Sequence, residues 1–425
     1  MSNQRDNESL LGAYRALDLT DEKGLLCGKI LGDLGADVIK IERPGGDRAR
    51  NIGPFYKDIP DPEKSLFWFF TNTSKRGITL DIETADGRDI FRRLVKTAHF
   101  VVESFEPGYM DKLGLGYSDL EKINPGIIMT SITPFGQTGP HAHYKASDLV
   151  LWNMGGMAYI TGELDRGPVR TSCPQAYFQG GVHGALGSMV AHYHRVMTGE
   201  GQWVDVSIQE AVIFPTHNAV EIWDLNRANE KPSGAFHGRL RPAPLEPLYQ
   251  HWLWPCKDGH VLLTFFGGAA GAYAGSSKRL VEVANREGFA LELRDYNWRS
   301  YDATKIPQAE QNRLEGAIEP YLLAKTKAEL FEMAVRERIL LLPACTTQDL
   351  VESPQHALRE YWVNVEHPDL GDTISYPGAP VKLSEAPWQI RRRAPLIAEH
   401  NEEVYRGELG IPKEDLVLLK AAGVI

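Results

Sequence analysis

Between Asp165 and Glu200 the chain carries no carboxylate. Acyl transfer or proton transfer in that stretch would need a nucleophilic carboxylate or a base. The segment Pro174–Ser207 (PQAYFQGGVHGALGSMVAHYHRVMTGEGQWVDVS) offers instead Tyr177, His183 and His192. A phenol ordinarily ionises only near pH ~10, and a lone histidine on such a helical pattern more often packs or faces water than reacts. The nearest upstream acids, Glu163 and Asp165, lie in TGELDRGP, which reads as a turn. Cys27, Cys173, Cys256 and Cys345 stand singly, without a CxxC, so neither a zinc knuckle nor a disulfide framework is expected. PGGDRARNIG follows a strand-like run but is not GxGxxG, and no GxxxxGK[ST] occurs, which argues against NAD and ATP. Gly181, Gly184 and Gly187 recur every third residue and point to close helix packing.

The elements that must position these groups alternate in type. LLCGKILGDLG reads as a helix, ADVIKIE as a strand, GRDIFRRLVKTA as an amphipathic helix, and HFVVESF and IIMTSITPF as strands. Such alternation predicts an α/β fold with a Rossmann-like parallel sheet covered on both faces, and a ligand at the carboxyl ends of its strands. From Asn226 to Pro247 the chain turns rich in Pro, Arg, Gly and Asn, as a linker would, and a second domain begins there. CKDGHVLLTFF suggests a hairpin turning at Asp258-Gly259, and AELFEMAVRERI a helix. The later Pro-rich segment predicts short strands and turns, and the last residues two short helices.

With 425 residues, 43% hydrophobic and 24% charged, two or three domains are expected. The net charge of −10 argues against a nucleic-acid surface, and Arg391-Arg392-Arg393 is too short a run to reverse that. No apolar run approaches the ~18 residues of a membrane span, and no signal pattern opens the chain, so a cytoplasmic protein is expected. Residues 1–10 read as a polar tail.

Several phrases, taken in order, resemble the class III (CaiB/BaiF-type) CoA-transferase family, which also contains α-methylacyl-CoA racemases. They are LGADVIKIERPGGDRAR from Leu34, NTSKRGITLDIETADGR from Asn72, VVESFEPGYMDKLGLGY from Val101, FGQTGP from Phe135, TGEGQWVDVSIQEA from Thr198, CKDGHVLL from Cys256, EHPDLGDTISYPGAPVKLS from Glu366 and APLIAEHNEEV from Ala394. The resemblance implies a Rossmann-like large domain (1–225), a smaller α+β domain (226–335), a C-terminal return to the large domain (336–425), and two chains interlocked as a dimer. Coenzyme A and its acyl thioesters are implied as substrates, with no permanently bound cofactor.

The family's aspartate attacks the donor thioester and is regenerated through an anhydride and an aspartyl-CoA thioester. Tyr177 stands at its position, so the resemblance implies a chain without its own nucleophile, paired in a hetero-oligomer with a homologous subunit that carries the aspartate. Succinyl-CoA as donor and (R)-benzylsuccinate as acceptor acid are the substrates it suggests. Racemisation is disfavoured, because the histidine–aspartate pair it needs is replaced by Ser147-Asp148 and Tyr177. For CoA binding the resemblance carries over Arg43 to a phosphate, Leu80 and Asp81 to the adenine site, Ser104 and Phe105 beside the nucleotide, and Lys112 and Lys145 near phosphate. Thr20-Asp21-Glu22-Lys23-Gly24 departs from the family's apolar stretch, and its acids are unfavourable beside an anionic ligand unless Lys23 or a partner chain compensates. Two alternatives remain: a self-sufficient transferase using Glu163 or Asp165, and an acyl-CoA-binding module without turnover.

Overall fold

Six strands lie side by side in one parallel sheet: β1 (Arg15–Leu19), β2 (Asp37–Glu42), β3 (Lys75–Thr79), β4 (Phe100–Glu103), β5 (Ile128–Thr133) and β6 (Gln202–Ser207), in the order β3-β2-β1-β4-β5-β6. The computed structural model describes residues 9–239, 246–265 and 274–425, so most of the expected polar tail lies outside the described residues. β4 and β5 are buried along their whole length, as a parallel sheet covered on both faces requires. Helices α1 (Leu25–Asp33), α2 (Leu66–Thr71), α3 (Ala85–Val95), α4 (Tyr109–Lys112), α5 (Tyr117–Ile123), α6 (Asp148–Met154), α7 (Gln175–Thr198), α8 (Ile208–Ile213) and α9 (His217–Asn226) follow in the chain. On one face α3 and α5 pack through Phe91, Leu94 and Leu120 against Leu17, Ile39, Val101 and Met129.

The other face is closed by α1 and α7, which approach through glycines. A Cβ on Gly181 would stand 2.7 Å from the Cβ of Leu26, and one on Gly184 would stand 2.6 Å from Ile132. The glycine spacing of the sequence is therefore a packing device, with no phosphate site implied.

Beneath the loop that follows β1 lies a buried charge network. Asp18 and Lys75 are both fully buried and pair at 2.7 Å. Asp18 also accepts from the Thr20 backbone and hydroxyl at 2.9 and 2.6 Å, and Lys75 donates to Leu25 O and Asn72 Oδ1 at 2.8 and 2.9 Å. Lys40 donates to Thr20 O and pairs with Asp47 at 3.4 Å. Both ends of the Thr20–Gly24 loop are thus held by charge-assisted bonds made below it.

Edge strand β3 is capped by the C-terminal part of the chain. Gly77 N donates to His400 Nδ1 (3.1 Å), Thr79 N to Asn401 Oδ1 (2.9 Å) and Asp81 N to Val424 O (2.7 Å), which satisfies backbone groups an open edge would expose. Arg50, buried over Trp68, makes a bidentate pair with Glu42 (2.6 and 2.8 Å) and donates to Pro395 O (2.9 Å).

The chain forms two compact units. The first takes residues up to Met157, Arg170–Glu221 and Pro354–Ile425; the second takes Ala158–Val169 and Ile222–Ser353. In the second, β7 (Phe236–Arg239) pairs antiparallel with β8 (Leu248–His251), and β9 (Leu253–Cys256), β10 (Gly259–Leu263) and β11 (Leu341–Pro343) make a small antiparallel sheet. Helices α10 (Ala274–Arg286), α11 (Gln308–Leu323) and α12 (Lys327–Glu337) enclose Trp254, Leu280, Leu314 and Leu330. Two expectations are corrected. The segment expected as linker contains strand β7, and the β9–β10 hairpin turns at Lys257-Asp258, one residue early, because Asp258 accepts the Lys327 N–H at 2.7 Å at the start of α12.

Removing one partner of a buried ion pair strands the other charge. Lys75→Met should cost about 3–5 kcal/mol of stability, while the double variant with Asp18→Asn should lose less. Urea unfolding followed by circular dichroism tests this, and a Lys75→Met protein as stable as the parent would show the pair to be without weight.

Candidate active site

The strand order reverses between β1 and β4, and at their carboxyl ends a doubly wound sheet opens its ligand crevice. Two loops meet there. Asp21 N donates to Ser104 Oγ at 2.9 Å, and that hydroxyl donates back to Asp21 Oδ1 at 2.8 Å. Beside this contact is a cleft of about 460 Å3 lined by Arg43, Arg48, Leu80, Asp81, Phe105 and Tyr109 among others.

Four residues carried over from the sequence, Arg43, Leu80, Asp81 and Phe105, converge on this cleft. Leu80 is buried in the wall, and the Phe105 ring packs on Tyr109 at 4.6 Å between centroids. Arg43, 65% exposed, donates to Glu83 at 2.8 Å and to the Tyr109 hydroxyl at 3.4 Å. Ser104 is buried and meets the cleft's edge through Asp21. Lys112, at the end of α4, is exposed and does not line the cleft, and neither does Lys145, whose neighbour is Glu106 at 4.0 Å.

Arg48, Glu83 and Tyr109 were not foreseen. In the run Arg48-Ala49-Arg50 nothing in the spacing shows that one guanidinium is buried on Glu42 while the other reaches the cleft.

Tyr177 sits in the first turn of α7, 9% exposed, and its N–H donates to Asp148 Oδ1 at 3.0 Å. Asp148 thus serves as a carboxylate at a helix N-terminus, where orphan donors and the helix dipole favour it. Burial, then the charges of Glu22, Asp21 and Asp148, push the Tyr177 phenol well above its ordinary range, so it stays protonated.

The acids around Tyr177 are already engaged. Glu22 accepts from Arg48 through both oxygens, at 2.8 and 3.0 Å. Asp21 accepts from Ser104, from Arg48 at 2.9 Å, and from the Lys23 ammonium. Burial alone would raise the Asp21 carboxyl, but Lys23, Ser104 and Arg48 together hold it below the usual range.

Both histidines have partners of their own. His183 bonds the Gln179 carbonyl at 2.9 Å, and His192 packs against Tyr14 and Phe100 with Arg195 at 2.8 Å. Glu163 and Asp165 belong to the second unit, where the Glu163 carboxylate occupies the space a Cβ on Gly234 would fill, 1.9 Å away.

Comparison with known proteins bears on this geometry. A family model, CoA-transferase family III, matches residues 15–401. Succinyl-CoA:(R)-benzylsuccinate CoA-transferase subunit BbsE of Thauera aromatica is 35% identical over 97% of both chains. Formyl-CoA:oxalate CoA-transferase of Streptomyces coelicolor is 32% identical over 98% of this chain and 99% of its own. Among solved structures, a CaiB/BaiF family protein from Brucella suis superposes with a TM-score of 0.78 at 26% identity, covering 94% of this chain and 98% of its own.

A second cavity, of about 320 Å3, is lined by Glu103, Met129, Ser131 and Trp203 among others. Burial raises the Glu103 carboxyl from an ordinary 4.5 to about 7, although Ser131 and the Phe105 N–H, 2.7 Å away, oppose the shift. The folded state therefore binds a proton that the unfolded chain has released. The stability this provides is complete below pH ~4.5 and lost as pH rises through ~7. Glu103→Gln should flatten the stability profile over that window and leave the protein about 2–3 kcal/mol more stable than the parent at pH ~8. Urea midpoints measured across the pH range check both effects.

Proposed function

Since this chain belongs to CoA-transferase family III, we propose that it is the subunit without a nucleophile in a hetero-oligomeric CoA-transferase, whose homologous partner supplies the reacting aspartate. The observation that carries this reading is the chemistry around α7. A protonated phenol occupies its first turn, and the acids beside it are spent on Arg48, Lys23, Ser104 and the N-terminus of α7.

In the reaction proposed, the partner's carboxylate attacks the donor thioester, forming a mixed anhydride as the C–S bond breaks and CoA thiolate leaves. The thiolate attacks the anhydride at the enzyme's acyl carbon, releasing the donor acid and leaving CoA on the enzyme carboxylate as a thioester. The acceptor carboxylate then attacks that thioester, giving a second mixed anhydride and free thiolate, and the thiolate attacks the anhydride at the acceptor's acyl carbon, forming the acceptor thioester and releasing the enzyme carboxylate. Tyr177 cannot enter this sequence, because an aryl ester would interrupt it. In this chain Arg43, Leu80, Asp81, Ser104 and Phe105 are proposed to form a CoA nucleotide site, with Lys112 and Lys145 approaching phosphate from outside the cleft.

Succinyl-CoA and (R)-benzylsuccinate are the proposed donor and acceptor, supported by the likeness to BbsE. An interlocked partner is supported by α7 itself. Val182, Leu186, Val190, Tyr193 and Met197 make one apolar stripe along it, with exposures from 45% at Val182 to 70% at Tyr193. A water-facing helix of a monomer would carry polar side chains on that line.

The chain alone and mixed with its homologous partner should be incubated with succinyl-CoA and (R)-benzylsuccinate, and trapped acyl-enzyme mapped by mass spectrometry. Exchange is expected only in the mixture, with the adduct on the partner's aspartate. Exchange by this chain alone, with an adduct on one of its own carboxylates, would overturn the reading. Tyr177→Asp should restore little activity to the isolated chain, because the Asp21–Glu22–Arg48 cluster remains beside it.

A further inference from the structure

Arg48 is 67% exposed at the rim of the cleft, on the short helical turn Arg48–Asn51, and a ligand phosphate would find its guanidinium already taken. Both Glu22 oxygens accept from it, at 2.8 and 3.0 Å, and Asp21 Oδ2 adds a bond at 2.9 Å. This is the fork geometry with which arginine ordinarily binds phosphate.

The loop that bears the carboxylates cannot follow Arg48 outward. Asp21 is fixed from below by Ser104 and by the Lys23 ammonium, and the loop that bears both acids is held by the Thr20 bonds to Asp18 and Lys40. Their side chains are 24% and 17% exposed. Arg43 is placed differently. Its one carboxylate partner, Glu83, is 49% exposed, and such a pair is worth little in water and is easily exchanged.

We propose that Asp21 and Glu22 act as an internal counter-anion that withholds Arg48 from ligand phosphate, so that this chain's cleft takes a CoA thioester only weakly. This rests on the cleft being a CoA nucleotide site. A phosphate that displaced Glu22 would exchange one charge-assisted fork for another, gain little, and leave two fixed carboxylates facing its own charge. Specificity against a ligand set by a built-in repulsive element has this form. The two acids are thus the residues that keep CoA loosely held in the subunit's own cleft.

The test is calorimetric titration of the full-length chain with CoA. Asp21→Asn/Glu22→Gln keeps the shape of both side chains and should tighten binding about tenfold. Arg48→Gln should cost about tenfold in the Asp21→Asn/Glu22→Gln background, where the guanidinium is free to meet phosphate. Arg43→Gln should weaken binding in both backgrounds. Unchanged or weaker binding by the double variant sinks the proposal. So does a change of less than about twofold from Arg48→Gln in that background, or a failure of Glu22→Gln alone, a change at the cleft rim, to tighten binding. If Arg43→Gln still weakens binding in those cases, the cleft assignment survives alone. If no variant binds CoA, both the cleft assignment and the proposal fail together.

Discussion

The buried pair of Asp18 and Lys75 is the constraint on which the crevice depends. Two full charges at 0% exposure are tolerable only because each is surrounded by dipoles and by the other. Burial would raise Asp18, but Lys75 and Lys40 outweigh it and hold the carboxyl below its ordinary value; burial lowers Lys75 despite Asp18. The pair reaches from β1 to β3 and sends its spare bonds to Thr20, Leu25 and Asn72. It therefore sets where α1 starts and where the loop of Asp21 and Glu22 emerges. The space left is minimal, since a Cβ on Gly28 would lie 2.1 Å from Asp18 Oδ2.

That foundation separates positioning from chemistry. Ser104, Arg48 and Lys23 hold the crevice loops together through contacts that do not involve residue 177. Asp148 likewise engages the backbone of α7, whichever side chain stands at the third position of that helix. A fold built this way holds its crevice loops in place whatever side chain stands at position 177.

The sheet was legible where burial is apolar. ADVIKIE, HFVVESF and IIMTSITPF became β2, β4 and β5, because each carries the Ile, Val or Phe residues that a buried strand packs, even with polar residues among them. β3 was harder, since KRGIT begins with two charges that the fold buries against Asp18 and Asp37, and no local pattern announces a charge whose partner lies dozens of residues away. β7 was hidden inside a Pro- and Gly-rich segment by a pairing that only β8 supplies. In the site, Arg43, Leu80, Asp81 and Phe105 follow strand ends and converge as the topology demands. The Arg48 fork depends on two loops meeting, which periodicity cannot report. Lys112 and Lys145 are long exposed side chains whose direction the sequence leaves open.

The capping of β3 by His400, Asn401 and Val424 has a consequence for the order of assembly. Gly77 and Thr79 must wait for partners more than 300 positions downstream before their N–H groups are satisfied. During synthesis from the N-terminus, the sheet emerges first yet cannot be sealed until residues 400–424 have left the ribosome, whereas residues 222–353 have their own core in hand well before that. The early sheet thus spends most of its translation time with an unprotected edge, the interval in which a chaperone or a nascent sibling chain has its best access to it.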